Sequence, residues 1–492
     1  MLPAQPARRR DLFIFAGCGA ALLVAWFPKL VPGYLSFDDF YLIHADDLRG
    51  HIHHFLSQGR FGMALVQTLL VRLGADPIHA PTLLAFVSIF LLAVVAAVTA
   101  RLWDLESRPS SLVACALCFV HPYGAEMWSF RLAPIHYSIS LLLAFSGAAL
   151  LRRGRGMIAL PIALIAFSLS VYQVSLNPLL VAVALGVCLD LARVGGGRDE
   201  LLLVIRVWAT VLLAIAAACL LYLGANELVL RVLAISPEAR NGFVAAGDAP
   251  ARAAEIARQL PRLLFKERQL GTGLLGALQL ALLLLALALA AARARAERSF
   301  GKLALTAVLL AAALLAVVGI VGVVRVFWPA PRTLTAVGFY WGGVLALASV
   351  LAGPRLRLLV VGAGALLLLG YAGIDHRAAA EQVRINARDL ARAGRILERF
   401  EQHPRYSELQ RIALVHPPMS YGDLHTVTGD LNTSALAVAW SQSAVFEEAA
   451  GRPFGIATEQ DRSGAQKLCA AAPRWPAQGS VAIEGSVGIV CF

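Results

Sequence analysis

The sequence predicts an all-α polytopic membrane protein that carries a small α/β or α+β domain outside the bilayer at its C-terminal end. Three observations lead there. Hydrophobic residues fill 59% of the 492 positions and the mean hydropathy is +0.70, well outside the balance of core and surface that a soluble domain shows. Apolar runs of about 18 or more residues recur along most of the chain, each long enough to cross ~30 Å of hydrocarbon as a helix. The arginines fall between those runs rather than on one continuous face, so the net charge of +12 speaks for membrane topology and against nucleic acid as a partner.

About eleven spans follow, near residues 12–31, 79–100, 110–122, 134–151, 157–172, 178–192, 201–224, 272–292, 303–324, 334–352 and 356–373. The first follows three arginines, as a signal peptide would. Its apolar part exceeds the roughly 7–15 residues of a signal-peptide core and no small-residue cleavage site follows, so it reads as a retained helix. With Arg8, Arg9 and Arg10 in the cytoplasm, the even-numbered links become cytoplasmic: "RLWDLESRPS", "RRGRG", "ARVGGGRDE", "RARAERSFGK" and "GPRLR". All are short and arginine-rich, as the positive-inside rule requires. The expected organisation is a multi-span domain over 1–374 with outer loops 32–78 and 225–271, and a periplasmic soluble domain over 375–492, in a bacterial inner membrane.

The outer links are rich in aromatic residues and proline. In the 225–271 link, Arg231, Arg240, Arg252, Arg258, Arg262, Lys266 and Arg268 run against the charge rule. Ile256, Leu260, Leu263 and Leu264 share one helical face there, opposite Arg252, Glu255, Gln259, Arg262 and Lys266. This pattern predicts a helix lying in the outer interface with its basic side toward lipid phosphates or a phosphate-bearing substrate. The tail opens with the charged helix "AEQVRINARDLARAGRILERFEQ", and "RIALVHP" and "SVAIEGSVGIVCF" pattern as strands. Cys469 and Cys491 are able to pair in an oxidising compartment if their geometry allows. Cys18, Cys115, Cys118, Cys188 and Cys219 sit in apolar runs and read as core thiols; a CxxC inside a span with no partner pair does not make a metal or redox site.

The stretch "GYLSFDDFYLIHADDLRGHIHHFLSQGRF" concentrates acids and histidines just after the first span. A structural account covers one of the acids: Ser36 and Asp39 have the spacing of a capping box, and acids suit a helix N-terminus. Three functional accounts compete for the rest. An aspartate acts as a general base on a sugar hydroxyl, with Arg60 or another outer arginine holding a donor phosphate. Alternatively, Asp38, Asp39, His44, Asp46, His51, His53 and His54 hold a divalent metal, although no recognised ligand spacing appears. In the third, the acids and histidines line an ion path of a transporter, against which stands the scarcity of acids inside the apolar segments.

An arginine-flanked first span, "FDDFY" beyond it and "QGRF" before the next span resemble the glucosyl transferase II family of bacterial and phage O-antigen-modifying enzymes. "HPYGAEMWSF" with Glu126, "LSVYQVSLNP" with Tyr172 and Gln173, and "APRTL" with Arg332 are similar too, so the resemblance covers roughly residues 10–375. It implies a GT-C-type glycosyltransferase that moves a hexose from a polyprenyl-phosphate donor, on the periplasmic face, to a glycan or lipid-linked acceptor such as lipopolysaccharide O-antigen. Carried over, the acidic motif selects Asp38 and Asp39 as catalytic. Arg60, Glu126, Arg131, Tyr172, Gln173, Arg325 and Arg332 become substrate-binding residues, with Glu126 able to pair with Arg131. No cofactor is firmly implied, and a divalent metal stays open. A carrier of lipid-linked solutes and a polysaccharide polymerase or ligase are the alternatives; no internal repeat of the kind common in carriers is visible.

Overall fold

The computed structural model describes residues 7–31, 34–44, 48–154, 157–195, 197–238, 242–265 and 273–492. Asp46, Arg240, Lys266 and Arg268 lie outside these residues. In chain order the helices begin with α1 (Ala7–Leu30), α2 (Phe37–His44), α3 (Leu48–Ser57) and α4 (Phe61–Arg72). They continue with α5 (Pro81–Leu102), α6 (Pro109–Leu117), α7 (Gly124–Met127), α8 (Ala133–Arg152), α9 (Ala159–Val171) and α10 (Leu176–Arg193). Then follow α11 (Arg198–Val232), α12 (Ala249–Phe265), α13 (Gly273–Ala296), α14 (Phe300–Val323), α15 (Ala336–Leu351) and α16 (Pro354–Glu401), and finally α17 (Gln442–Ala450) and α18 (Glu459–Cys469). The strands are β1 (Arg411–Val415), β2 (Gly455–Ile456), β3 (Val481–Glu484) and β4 (Val487–Cys491).

Among the described residues, eight helical runs are long and apolar enough to cross a membrane: those of α1, α5, α8, α10, α11, α13, α14 and α16. Each expected span has a helix at its place, but three are shorter than a bilayer. α9 and α15 are apolar with 13 and 16 residues, and α6 has nine. The region 32–78, expected as a link, contains α2, α3 and α4.

The chain divides into two compact units. One comprises Met1–Leu30, Leu48–Trp128 and Leu132–His376; the other comprises Val31–Asp47, Ser129–Arg131 and Arg377–Phe492.

In the first unit, helices are the only way to bond a backbone that has no water beside it, and wherever a helix breaks a side chain has to take over. α14 breaks at Gly319 (φ 19°, ψ −107°). Asn177 of α10 repairs the break: its Oδ1 accepts the Ile320 N–H at 2.9 Å, and its Nδ2 donates to the Val317 and Thr333 carbonyls at 3.2 and 3.3 Å. A Cβ on residue 319 would come within 2.1 Å of that Oδ1, so the close approach demands glycine. Past the end of α14, Arg252 donates to the carbonyls of Gly322, Val324 and Arg325 at 3.3, 2.7 and 3.0 Å. α12 is therefore the amphipathic helix the sequence announces, but its Arg252 serves helix-end carbonyls and its Leu260, Leu263 and Leu264 are buried in the protein.

At the arginine-rich ends of the spans, cations are held by helix termini and a few acids. Arg101 bonds Asp11, while Arg152 donates to the Leu102 carbonyl and grips both oxygens of Asp190 at 2.7 and 2.9 Å. Trp208 donates its indole N–H to the same carboxylate at 2.9 Å.

The second unit is built on a four-stranded sheet of order β2-β1-β4-β3, in which β1 is parallel to β2 and β4, and β3 is antiparallel to β4. Side chains alternate across a strand. Ile412 and Leu414 face a cluster with Phe400, Phe446 and Ile483, and Ala413 and Val415 face a cluster with Ala465 and Ile489. Phe40 of α2 belongs to the first of these clusters. Cys469 and Cys491 form a disulfide with Cα atoms 5.3 Å apart. The bridge closes 22 residues of sequence, for which loop-closure entropy predicts about 3 kcal/mol of stabilisation. Reducing it with a thiol should accordingly lower the unfolding midpoint of the second unit, followed by limited proteolysis of 377–492 with and without reductant.

Candidate active site

Asp38 and Asp39 sit in the first turn of α2 and have different surroundings. Asp39 is 1% exposed. Its Oδ2 accepts the Ser36 N–H at 2.9 Å while its own N–H donates to Ser36 Oγ at 3.1 Å, closing the capping box. Its Oδ1 accepts the Arg131 N–H at 3.1 Å, and Phe37 packs edge-on against Phe130 with centroids 5.7 Å apart. Asp39 thus fixes both the start of α2 and segment 129–131. Burial pushes its carboxyl up to about 6, opposed by the bonds from Ser36 and Arg131. Asp38 is half-buried on the helix surface, and its Oδ1 accepts the Trp440 indole N–H at 3.0 Å.

His44 lies against Glu447 and Glu448 at 3.2 and 3.4 Å, and the ring of His54 contacts Gln58 Nε2 at 2.8 Å. Among the described residues no group of three or more His, Cys, Asp or Glu side chains is placed to hold a metal ion.

In the first unit, three of the nominated residues meet at a break. α9 ends at Val171, Tyr172 is extended (φ −155°, ψ 104°) and a short 3-10 turn leads into α10. Serine hydroxyls serve the interrupted backbone: Ser140 Oγ lies 2.9 Å from the Ser168 carbonyl and 3.1 Å from that of Tyr172, and Ser168 and Ser175 share a bond at 2.9 Å. "QGRF" supplies the facing side. Gly59 is left-handed (φ +74°), and Tyr222 donates to its carbonyl at 3.0 Å. Phe61 stacks on the Tyr222 ring at 6.3 Å. Arg60 then donates Nε–H to Gln173 Oε1 at 3.2 Å with its guanidinium 5.1 Å from the centre of the Tyr172 ring.

Glu126 is fully buried in α7 and pairs with Arg332, not with Arg131. Arg332 gives it the main-chain N–H at 3.1 Å and a guanidinium Nη1–H, and the guanidinium lies 4.5 Å over the Trp328 ring. Arg325 is exposed; its N–H donates to the Gly242 carbonyl at 2.6 Å.

The family model described as Glucosyl transferase GtrII matches residues 31–344, which include every nominated site residue. The chain belongs to this family. No curated protein and no solved structure matches it. Membership in the GtrII family supports glycosyltransferase chemistry of the glucosyl type on a chain with several membrane-length helices.

Around the break at Tyr172 stand further residues that the sequence alone does not single out. Tyr137 donates to Thr335 Oγ1 at 2.7 Å and packs edge-on against Tyr172, joining the break to the segment after Arg332. His136 is fully buried with Nδ1 2.6 Å from the Leu132 carbonyl. That carbonyl holds the proton on Nδ1, which leaves Nε2 as an acceptor without a protein partner among the described residues. An apolar helix with one His or Tyr carries no such signal in its periodicity.

Two outcomes are expected. Because the folded carboxyl of Asp39 titrates at about 6, above its ordinary 3.8, folding binds a proton between those values and stability falls as pH rises through this window, by on the order of 3 kcal/mol. Denaturant unfolding of the wild type between pH 4 and 7 should show that slope and Asp39→Asn should lack it. Arg332→Ala strands the buried Glu126 carboxylate and should cost about 3–5 kcal/mol; the Glu126→Gln, Arg332→Ala double variant should recover part of the loss in thermal unfolding of the detergent-purified protein.

Proposed function

We propose that this GtrII protein transfers a hexose, glucose as the family description suggests, from a polyprenyl-phosphate donor to a cell-surface glycan such as lipopolysaccharide O-antigen, on the periplasmic face of the inner membrane. The observation that carries the reading is the guanidinium of Arg60 held by Gln173 and Tyr172 at a break between two apolar helices. A cation fixed among membrane-length helices suits a phosphate that arrives on a lipid, since arginine binds phosphate oxygens with a planar fork of donors.

In the proposed step the acceptor hydroxyl oxygen forms a bond to the anomeric carbon from the face opposite the phosphate. Its proton passes to the Asp38 carboxylate. The bond from the anomeric carbon to the phosphate oxygen breaks, and the electron pair leaves with the polyprenyl phosphate, inverting the centre. Arg60 stabilises the charge on the leaving phosphate. Asp38 takes the role of base because it lies on the surface of α2, whereas both oxygens of Asp39 already accept main-chain N–H groups. Asp39 is a positioning residue in this reading. Arg332 and Arg131 contribute further positive charge, Glu126 orients Arg332, and Arg325 is left as a loop residue on the donor side. The soluble domain over 375–492 would stand in the periplasm with the acceptor.

Removal of a general base typically lowers rate by about 10²–10⁴-fold. Asp38→Asn should insert and accumulate as wild type and lose transfer by at least that factor, measured by mass spectrometry of surface glycans from cells lacking the gene and complemented with each form. Loss of single hexoses without the gene supports the modifying transferase; loss of whole chains, or full hexose addition by Asp38→Asn, would refute it.

A further inference from the structure

A cavity of about 200 Å³ lies among helix ends of the first unit, framed by residues 104–111, Arg193 at the end of α10, Ser349 near the end of α15 and Arg357 in the first turn of α16. These are the arginine-rich ends of the spans, and none of the nominated site residues lines the cavity. Three serine hydroxyls line it: Ser110 and Ser349 are 5% exposed and Ser111 is 6% exposed. Ser349 Oγ is wholly enclosed and has no hydrogen-bond partner among the described residues. Buried hydroxyls without partners are uncommon, since each forfeits the bonds it makes in water. The α6 N-terminus opens here as well: Arg108 precedes it without a side-chain cap, and the Ser110 amide is among the first-turn N–H groups that have no intrahelical acceptor.

The charges on the wall point the same way. Arg108, Arg193 and Arg357 line the cavity together with Asp104 and Glu106. Both acids are engaged: Glu106 with Arg108 at 2.5 Å, Asp104 with Arg10 at 3.7 Å. Arg193 spends one nitrogen on Asp190 and one on the Asp104 carbonyl. Arg357 donates Nε–H and one Nη to the Ser349 and Ala352 carbonyls at 2.9 and 3.0 Å, which leaves its other Nη. Donors therefore outnumber acceptors, and the missing partner is an anion with several acceptor oxygens. A neutral sugar would leave the arginines' surplus positive charge unmatched, and a metal would need more carboxylates.

We infer that this cavity binds a phosphate group, its oxygens received by the hydroxyls of Ser110, Ser111 and Ser349, the Ser110 amide and Arg357. The phosphate could come with a phospholipid headgroup or in soluble form, and the same chemistry serves both.

The test uses the purified full-length chain in nanodiscs of phosphatidylcholine, with thermal unfolding as readout. One arm adds inorganic phosphate at matched ionic strength; the other replaces part of the lipid with phosphatidylglycerol. In at least one arm the midpoint should rise, by about 2 °C at ten times half-saturation. A rise with phosphate assigns the soluble source, and one confined to phosphatidylglycerol assigns the headgroup. The Ser110→Ala, Ser111→Ala double variant should keep the probe-free midpoint and lose the rise; should it not fold, Ser349→Ala is read in the same way. A wild type indifferent to both probes, an equal rise with sodium chloride, or an undiminished rise in the variant overturns the assignment.

Discussion

A polar group carried into an apolar helical bundle has to find its partner inside the protein, and much of the first unit follows from that constraint. Asn177 exists to satisfy the backbone freed at Gly319, Ser140, Ser168 and Ser175 do the same for the break at Tyr172, and Asp190 collects Arg152, Arg193 and Trp208. Each is a local answer to the same cost, several kcal/mol for a backbone group left unbonded in hydrocarbon. Satisfied breaks also create chemistry. The interruption after α9 turns Tyr172 and Gln173 out of the helical pattern and toward Arg60, which an unbroken helix would not do.

The pair of aspartates illustrates a division of labour between adjacent residues. A capping box and an amide from a distant segment occupy Asp39 and set its conformation, while burial raises its proton affinity against the pull of those bonds. Its neighbour lies half-buried on the helix surface, where it accepts the Trp440 indole N–H. One carboxylate builds the turn and the other stays on the surface. Identical side chains in consecutive positions are thus separated by burial and by the partners each one meets.

Several parts of this arrangement were legible beforehand. The capping box follows from Ser36 and Asp39 being three residues apart, the amphipathic helix at α12 from its apolar spacing, and the family from "FDD" and "GRF". Others were not. For Glu126 the sequence offers Arg131 as partner, because it shows only neighbours along the chain; the structure supplies Arg332, 206 positions away. The capping box signals α2, whereas α3 and α4 carry no such signal: α3 is dense in histidines, and α4, apolar over 12 residues, is too short to read as a span. The short length of α9 was hidden as well, since Tyr172 and Gln173 are compatible with a continuing helix and only the serine hydroxyls behind them stabilise the break.

By itself, the sequence determined that the chain is helical and membrane-length in its parts, where the long apolar helices lie, and which family it joins, because hydropathy and short motifs are local and survive without coordinates. Only the tertiary structure decided which charges are paired, which of two neighbouring aspartates is buried, and which hydroxyls line an empty space near Arg357. Those outcomes depend on contacts between residues hundreds of positions apart, and burial, the quantity that sets their energies, is a property of the packed chain.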